Sequence, residues 1–245
     1  MSNPTRRVAV VTGTATGIGQ EFAAALAADG CAVAGIDVAD QSATAARIGD
    51  AFLPVSADVS DPDQMTVAMA EIAEHFGGLH LVVNNAGIYP PIPFEKTTPD
   101  ELRRILRINV EGPFYVCQAA LPYLREAGWG RIVNVASGAV FVGPPDIVAY
   151  TTSKAALIGL TRSLSTLLGA DGITVNTIAP GLLRTETAAR STGADGGFER
   201  VMSHQRIPRV GEPTDLITTL LYLCDPGTGF LTGQTLNVDG GSALL

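Results

Sequence analysis

The sequence predicts a single α/β domain built on a parallel, doubly wound sheet of seven strands, with helices on both faces. Three observations lead there. Short apolar runs alternate with helix-period patterns from one end of the chain to the other, as repeated βαβ units require. Clusters of Gly, Asn, Ser and Pro follow those runs, at what become the carboxyl ends of strands, where open α/β sheets bind ligands. Finally, 245 residues that are 46% hydrophobic, with 27 glycines and no repeat, low-complexity tract or clear linker, suffice for one large core. The span 1–245 therefore reads as one domain.

The elements follow in order. Arg7 to Thr12 is a predicted strand that runs into Thr12-Gly13-Thr14-Ala15-Thr16-Gly17-Ile18-Gly19, and the helical pattern Phe22 to Ala27 follows, ending at Asp29-Gly30. Strand, glycine turn and helix form a Rossmann-type phosphate cradle. The glycines let backbone amides approach a pyrophosphate, and the helix N-terminus adds donors and a favourable dipole. Gly13, Thr16, Gly17 and Gly19 are thus candidate cofactor residues, although the spacing is Gly-x-x-x-Gly-x-Gly rather than the common Gly-x-Gly-x-x-Gly. A second strand, Cys31 to Ile36, delivers Asp37 about 20 residues past the glycines, where a carboxylate accepts hydrogen bonds from an adenosine ribose and repels a 2'-phosphate. No Arg or Lys occupies positions 14–16 or 38–40 to neutralise such a phosphate. The preferred cofactor is therefore NAD rather than NADP; the competing reading is an Asp that merely caps a strand end.

Phe52 to Ala57 is a third strand, with Asp58 and Val59 placed to reach an adenine. Asp61-Pro62-Asp63-Gln64 has the acid, Pro and Gln of a helix start. Leu79 to Val83 is a fourth strand leading into Asn84-Asn85-Ala86-Gly87, and Thr98-Pro99-Asp100-Glu101 is a capping box opening a helix that contains Asn109. Arg131 to Ala136 is a fifth strand that presents Ser137. Ile173 to Ile178, ending at Pro180-Gly181, is a sixth, and Thr235 to Val238, closed by Asp239-Gly240-Gly241, is a seventh. The most irregular stretch, about 182–211, has Ser191 to Gly197 at its centre and is a candidate substrate lid.

The chemistry is sought in Tyr150-Thr151-Thr152-Ser153-Lys154, whose continuation to Leu160 suits a helix. Residues four apart share a helix face, so a phenol and an ammonium should lie side by side. An adjacent cation favours phenolate and draws a pKa of roughly 10 toward the working range of a general acid/base. Lys96 and Lys154 are the only lysines in a chain that otherwise uses Arg. The competing reading is a surface Lys beside a half-buried Tyr.

Other function classes fare worse. His75, His80 and His204 are scattered, and Cys31, Cys117 and Cys224 lie far apart without Cys-x-x-Cys spacing, so no metal site is expected and buried free thiols are. A net charge of -8 speaks against nucleic acid or an anionic membrane as partner. Arg103, Arg104 and Arg107 fall on a helical pattern that reads as a solvated face. No apolar run approaches the roughly 20 residues of a membrane span, and Met1 to Arg7 is polar, so a cytoplasmic location is expected.

Thr12-Gly13-x-x-x-Gly17-x-Gly19, Asn84-Asn85-Ala86-Gly87, Asn109, Ser137, Tyr150-x-x-x-Lys154 and Pro180-Gly181, in this order, resemble the short-chain dehydrogenase/reductase family over nearly the whole chain. The resemblance implies that Tyr150 is the general acid/base for hydride transfer between a nicotinamide and an alcohol or ketone. It implies that Lys154 lowers the Tyr150 pKa and holds the nicotinamide ribose, that Ser137 binds the substrate oxygen, and that Asn109 interrupts a helix and holds a water of a proton relay. Ile18, Asn85, Ala86, Gly87, Pro180, Gly181, Leu183 and Thr185 fall to the cofactor, Thr185 at its carboxamide. A homotetramer joined through helices is also implied; Leu220, Leu221 and Leu223 within Leu216 to Cys224 could supply such a contact or face the core.

Residues flanking the site are mostly apolar: Ile88, Tyr89, Pro90, Pro91, Ile92, Phe94, Val140, Phe141 and Val142, with Leu182, Leu183, Phe198, Val201 and Met202 from the lid. This favours a hydrophobic secondary alcohol or ketone. Asn84 to Pro90 with Ile92-Pro93-Phe94, Trp129 to Ile132 and Asp171 to Asn176 are similar to the branch of the family that oxidises 1-phenylethanol. Two alternatives stand beside this: an NADPH-dependent 3-oxoacyl-[acyl-carrier-protein] reductase, and a non-catalytic NAD-binding protein on the same fold.

Overall fold

The computed structural model describes residues 6–192 and 196–244. Seven strands, β1 (Val8–Thr12), β2 (Ala32–Asp37), β3 (Phe52–Ser56), β4 (Leu81–Asn84), β5 (Gly130–Val135), β6 (Ile173–Pro180) and β7 (Thr235–Val238), form one sheet in the order β3-β2-β1-β4-β5-β6-β7. Every pairing is parallel. The order reverses between β1 and β4, and the crevice beyond their carboxyl ends is where such a sheet receives a ligand. Burial explains the composition of the central strands: all five residues of β1 and all eight of β6 are buried, as expected of strands covered on both faces.

Helices α1 (Gly17–Ala28), α2 (Ser42–Ile48), α3 (Pro62–Phe76), α4 (Pro99–Leu106), α5 (Gly112–Glu126), α6 (Ala139–Val142), α7 (Val148–Leu168), α8 (Glu186–Thr192), α9 (Gly197–Met202) and α10 (Ile217–Cys224) complete the order. Two apolar layers result. Met65, Met69 and Ile72 of α3, Val116 and Leu124 of α5 and Leu168 of α7 pack on one face of the sheet. Phe22 and Leu26 of α1 and Leu216, Leu220 and Leu223 at α10 pack on the other. Leu220 and Leu223 are thus committed to the core, which removes them as candidates for a subunit contact. Cys31, Cys117 and Cys224 are buried free thiols, as expected.

The helix starts read from sequence are built as their chemistry requires. Asp61 caps α3 by accepting from the Asp63 and Gln64 amides, and Thr98 and Glu101 form the capping box of α4. Arg103, Arg104 and Arg107 are exposed, a solvated face. The helix containing Asn109 departs from the simple expectation: between α4 and α5, Arg107–Glu111 is a π-helical turn, the single-turn bulge by which a helix re-aims a side chain. Stretch 182–211 is less irregular than its composition predicts. It contains α8 and α9, and Leu183 bridges Gly211 in parallel. Gly193 to Asp195, at the expected centre of the lid, lie outside the described residues.

The glycine turn is dictated by sterics. Gly13 and Gly17 adopt φ of 75° and 62°, and a Cβ on Gly13 would lie 2.8 Å from Asn85 Nδ2 and 2.9 Å from Ala86 Cα. At Gly19 a Cβ would overlap the Gly13 carbonyl. Gly19→Ala is therefore expected to cost more than about 2 kcal/mol, because the obstructing atoms are backbone. A lower urea midpoint at unchanged m-value would report this; an unchanged midpoint would refute it.

Candidate active site

The carboxyl edge of the sheet gathers residues that are far apart in sequence. At the switch point, the Thr12 hydroxyl at the end of β1 accepts from the amides of Asn85 (3.0 Å) and Ala86 (3.0 Å), while Asn85 Nδ2 donates to the Thr12 carbonyl at 2.9 Å. Thr12 and Asn85 thus clamp the turn after β4 against the glycine turn. Asn85 acts chiefly as a brace, and Ala86 and Gly87 present the backbone it holds.

The site suits a dinucleotide by its donor set. Thr16 precedes α1 with extended backbone and provides no side-chain cap, so the first-turn amides of this 12-residue helix keep their N–H groups for another acceptor. Asp37 is fixed at the end of β2: its two carboxylate oxygens accept from the amides of Ala15 and Ala39, each at 2.9 Å. Asp58 accepts from the Ser60 amide and hydroxyl, both at 2.8 Å, and Val59 is buried against Gly112, whose Cβ would come within 2.9 Å of it. Gly13, Thr16, Gly17, Gly19, Asp37 and Asp58 therefore share one edge, with Val59 beneath it.

Tyr150 and Lys154, the residues expected to handle the proton, are built on α7. Tyr150 hydrogen-bonds with the Ser137 hydroxyl, which itself accepts from the Ala139 amide at 3.2 Å. The Tyr89 ring meets the Tyr150 ring edge-on, with centroids 4.8 Å apart and planes at 86°. One turn on, Lys154 is buried; its Nζ lies 5.9 Å from the Tyr150 ring centroid and donates to the Val135 carbonyl at 2.8 Å. Helical spacing thus brings the two residues together as expected, yet the partner of the ammonium is a backbone carbonyl on β5. The electrostatics follow. Burial pushes the Tyr150 phenol up to about 12 against the opposing Ser137 bond, with Tyr89 raising it further. Burial pulls Lys154 down to about 8. The lowered Tyr150 pKa expected from spacing is not found here: burial raises it, and the Lys154 ammonium donates to the Val135 carbonyl instead.

Asn109, fully buried on the π-helical turn, ties three elements together. Its Oδ1 accepts from the Ile88 amide at 2.8 Å; its Nδ2 donates to the Ile88 carbonyl and to Ser153 Oγ, both at 3.0 Å. Ser153 in turn donates to the Tyr150 carbonyl at 2.7 Å. A second buried chain holds α7 to the sheet: Asn84 Nδ2 donates to Asn134 Oδ1 (2.8 Å), Asn134 Nδ2 to Thr161 (2.8 Å), and the Thr161 and Thr177 hydroxyls meet at 2.7 Å. Thr12, Asn84 and Ser153 stand inside the quoted motifs, yet sequence reading assigned them no role, and it missed Asn134, Thr161 and Thr177 altogether; only their burial as polar groups marks those three.

A cavity of about 710 Å³ opens above Ser137 and Tyr150. Of the expected residues, Ile18, Pro180, Gly181, Leu183 and Thr185 line it together with Ser137 and Tyr150, while Lys154 and Asn109 stand behind the wall. Tyr89, Pro91, Val142, Leu182 and Val201 supply apolar surface as expected. Ile88, Pro90, Ile92, Phe94, Val140, Phe141, Phe198 and Met202 are not part of the lining, whereas Asp146, Arg200 and His204 are. Among the described residues, no group of three or more His, Cys, Asp and Glu could hold a metal, and no helix is long and apolar enough to cross a membrane.

Fold and site together define an α/β nucleotide-cofactor oxidoreductase, and comparison with known proteins narrows this. The family profile described as "Enoyl-(Acyl carrier protein) reductase" matches residues 13–243. The chain is 35% identical to galactitol 2-dehydrogenase of Agrobacterium fabrum, covering 96% of this chain and 97% of that protein. It is 36% identical to 3-alpha-(or 20-beta)-hydroxysteroid dehydrogenase of Mycobacterium tuberculosis, covering 96% and 89%. The solved structure of Thermoplasma acidophilum aldohexose dehydrogenase superposes with a TM-score of 0.89 at 28% identity, over 97% of this chain and 94% of that one. The chain belongs to the short-chain dehydrogenase/reductase family.

Proposed function

We propose that this chain is an NAD-dependent oxidoreductase that interconverts a hydrophobic secondary alcohol and its ketone, with Tyr150 as general acid/base. The observation that carries the reading is the hydrogen-bonded Ser137–Tyr150 pair opening into a partly apolar cavity at the carboxyl edge of the sheet. Bound NAD(H) would supply the hydride chemistry, held by the first-turn amides of α1, the turn at Gly13 to Gly19, Asp37 and the backbone at Asn85 to Gly87. This chain's own residues manage the oxygen. Ser137 donates to the carbonyl oxygen as its negative charge develops, and Tyr150 passes a proton to it. A phenol held well above neutral stays protonated, which suits the reducing direction. Lys154 and Asn109 fix the helix that presents Tyr150.

NAD is supported by Asp37, a carboxylate pinned by two amides where a 2'-phosphate would have to lie. Asp37→Ala is expected to narrow the ratio of kcat/KM between NAD and NADP by about tenfold or more. An unchanged ratio would move cofactor selection elsewhere. Initial rates with both cofactors against 1-phenylethanol, a 2-alkanol, a cyclic diol and a 3-hydroxyacyl thioester test the whole reading. NAD-linked turnover of the hydrophobic alcohols is expected. The second reading, an NADPH-dependent 3-oxoacyl-[acyl-carrier-protein] reductase, draws support from the description of the matching family profile. NADP-linked turnover of the thioester alone would establish it.

The proposal includes a cytoplasmic homotetramer. Exposed Phe114 on α5, Tyr222 on α10 and Phe230 are apolar surface consistent with subunit contacts.

A further inference from the structure

One part of the cavity wall, formed by α9 and the turn just after it, carries Arg200 and His204. Gly197, Arg200, Val201 and His204, spaced three and four apart, turn toward the cavity. The orientation is anchored from the opposite side: Phe198 lies under the Arg184 guanidinium, 5.6 Å from ring centroid to Cζ, and Arg184 Nε is bound to Glu212 Oε1 at 3.0 Å. Two other arginines of stretch 182–211 have carboxylate partners, Arg184 with Glu212 and Arg209 with Asp215 at 2.6 Å. The side chains of Arg200 and His204 are exposed, and neither makes an ion pair or hydrogen bond with a described residue. An arginine without a partner, facing the same cavity as Ser137 and Tyr150, is placed to meet a ligand.

We propose that Arg200, with His204 beside it, binds a carboxylate at the end of the substrate remote from the carbon served by Tyr150. The substrate class is then a hydrophobic hydroxy acid and its oxo acid. The inference rests on the oxidoreductase reading above and narrows it. A guanidinium presents parallel N–H donors that fit a carboxylate in two-point contact. The apolar stem would lie along Val142, Leu182, Val201 and the ring of Tyr89. Asp146, exposed on another part of the cavity wall, repels a carboxylate and so favours the orientation with the acid at α9.

The test is reduction of matched ketones, 4-acetylbenzoate against its methyl ester and levulinate against methyl levulinate, by wild type, Arg200→Gln and Arg200→Lys. Because Arg200 is open to solvent, the discrimination should be modest. The expected result is a KM roughly tenfold lower for an acid than for its ester, abolished in Arg200→Gln through the acid alone, partly kept in Arg200→Lys, with kcat little changed. Equal use of acid and ester by wild type would overturn the inference. So would an Arg200→Gln variant that weakens both substrates equally, since that would signal a structural role for Arg200. Reduction of none of the ketones with either NADH or NADPH would overturn the oxidoreductase reading and the carboxylate site with it. Turnover of esters alone would leave that reading standing and refute only the carboxylate site.

Discussion

Tyr150→Phe is expected to lower kcat by about 10²–10⁴, the usual contribution of a positioned general acid/base, and to leave NADH affinity within about twofold. The substitution removes one oxygen. The ring keeps its edge-on contact with Tyr89 and its place above Lys154, so the cavity wall survives. What is lost is the proton donor and the hydrogen bond to Ser137. In its proposed role the Ser137 hydroxyl would still bind the substrate oxygen, so KM should move less than kcat. Rates and NADH fluorescence titration on the same preparation decide the matter. Loss of cofactor binding alongside turnover would show that Tyr150 builds the cofactor site instead of handling the proton.

Lys154→Met is expected to abolish measurable turnover and at the same time raise thermal stability at pH 7. Burial lowers Lys154 from 10.5 to about 8, corresponding to a penalty of about 3 kcal/mol on the charged form. Below pH 8 the ammonium is charged in both native and unfolded states, so the folded protein bears that penalty in full. Between about 8 and 10.5 the native state loses the proton first while the unfolded chain keeps it, and stability rises with pH. Methionine fills similar volume without charge, though it leaves the Val135 carbonyl without its donor, which offsets about 1–2 kcal/mol. A net gain of about 1–2 kcal/mol is expected, a few degrees in Tm for a chain of this size, fading above pH 8. A variant less stable than wild type at pH 7 would refute the argument.

The sheet was legible in the sequence because its strands leave apolar runs, β1, β2, β4, β5 and β6 being buried almost throughout, and the strand ends shifted by only one or two residues. Cys31 to Ile36 became Ala32–Asp37, and Ile173 to Ile178 extended to Pro180. The positions of Ser137, Tyr150 and Lys154 were legible for the same reason: strand ends and helical spacing fix them through the backbone. Side-chain partners were not. Nothing local in sequence says that the Lys154 ammonium turns to Val135, a residue 19 positions earlier. The facing of α9 was also hidden, since Phe198 leaves the cavity for Arg184, 14 positions earlier, and puts Arg200 where an apolar side chain was expected.

The supports of Tyr150, Ser153 and Lys154 lie on β5 and on the π-helical turn, and among the described residues none of their hydrogen bonds comes from 182–211. Selection can therefore act on the two parts separately. Substitutions on α8 and α9 can reshape the cavity wall while the bonds that hold the proposed proton-transfer groups stay intact. A chain so constructed can exchange its doorway without rebuilding the supports of Tyr150.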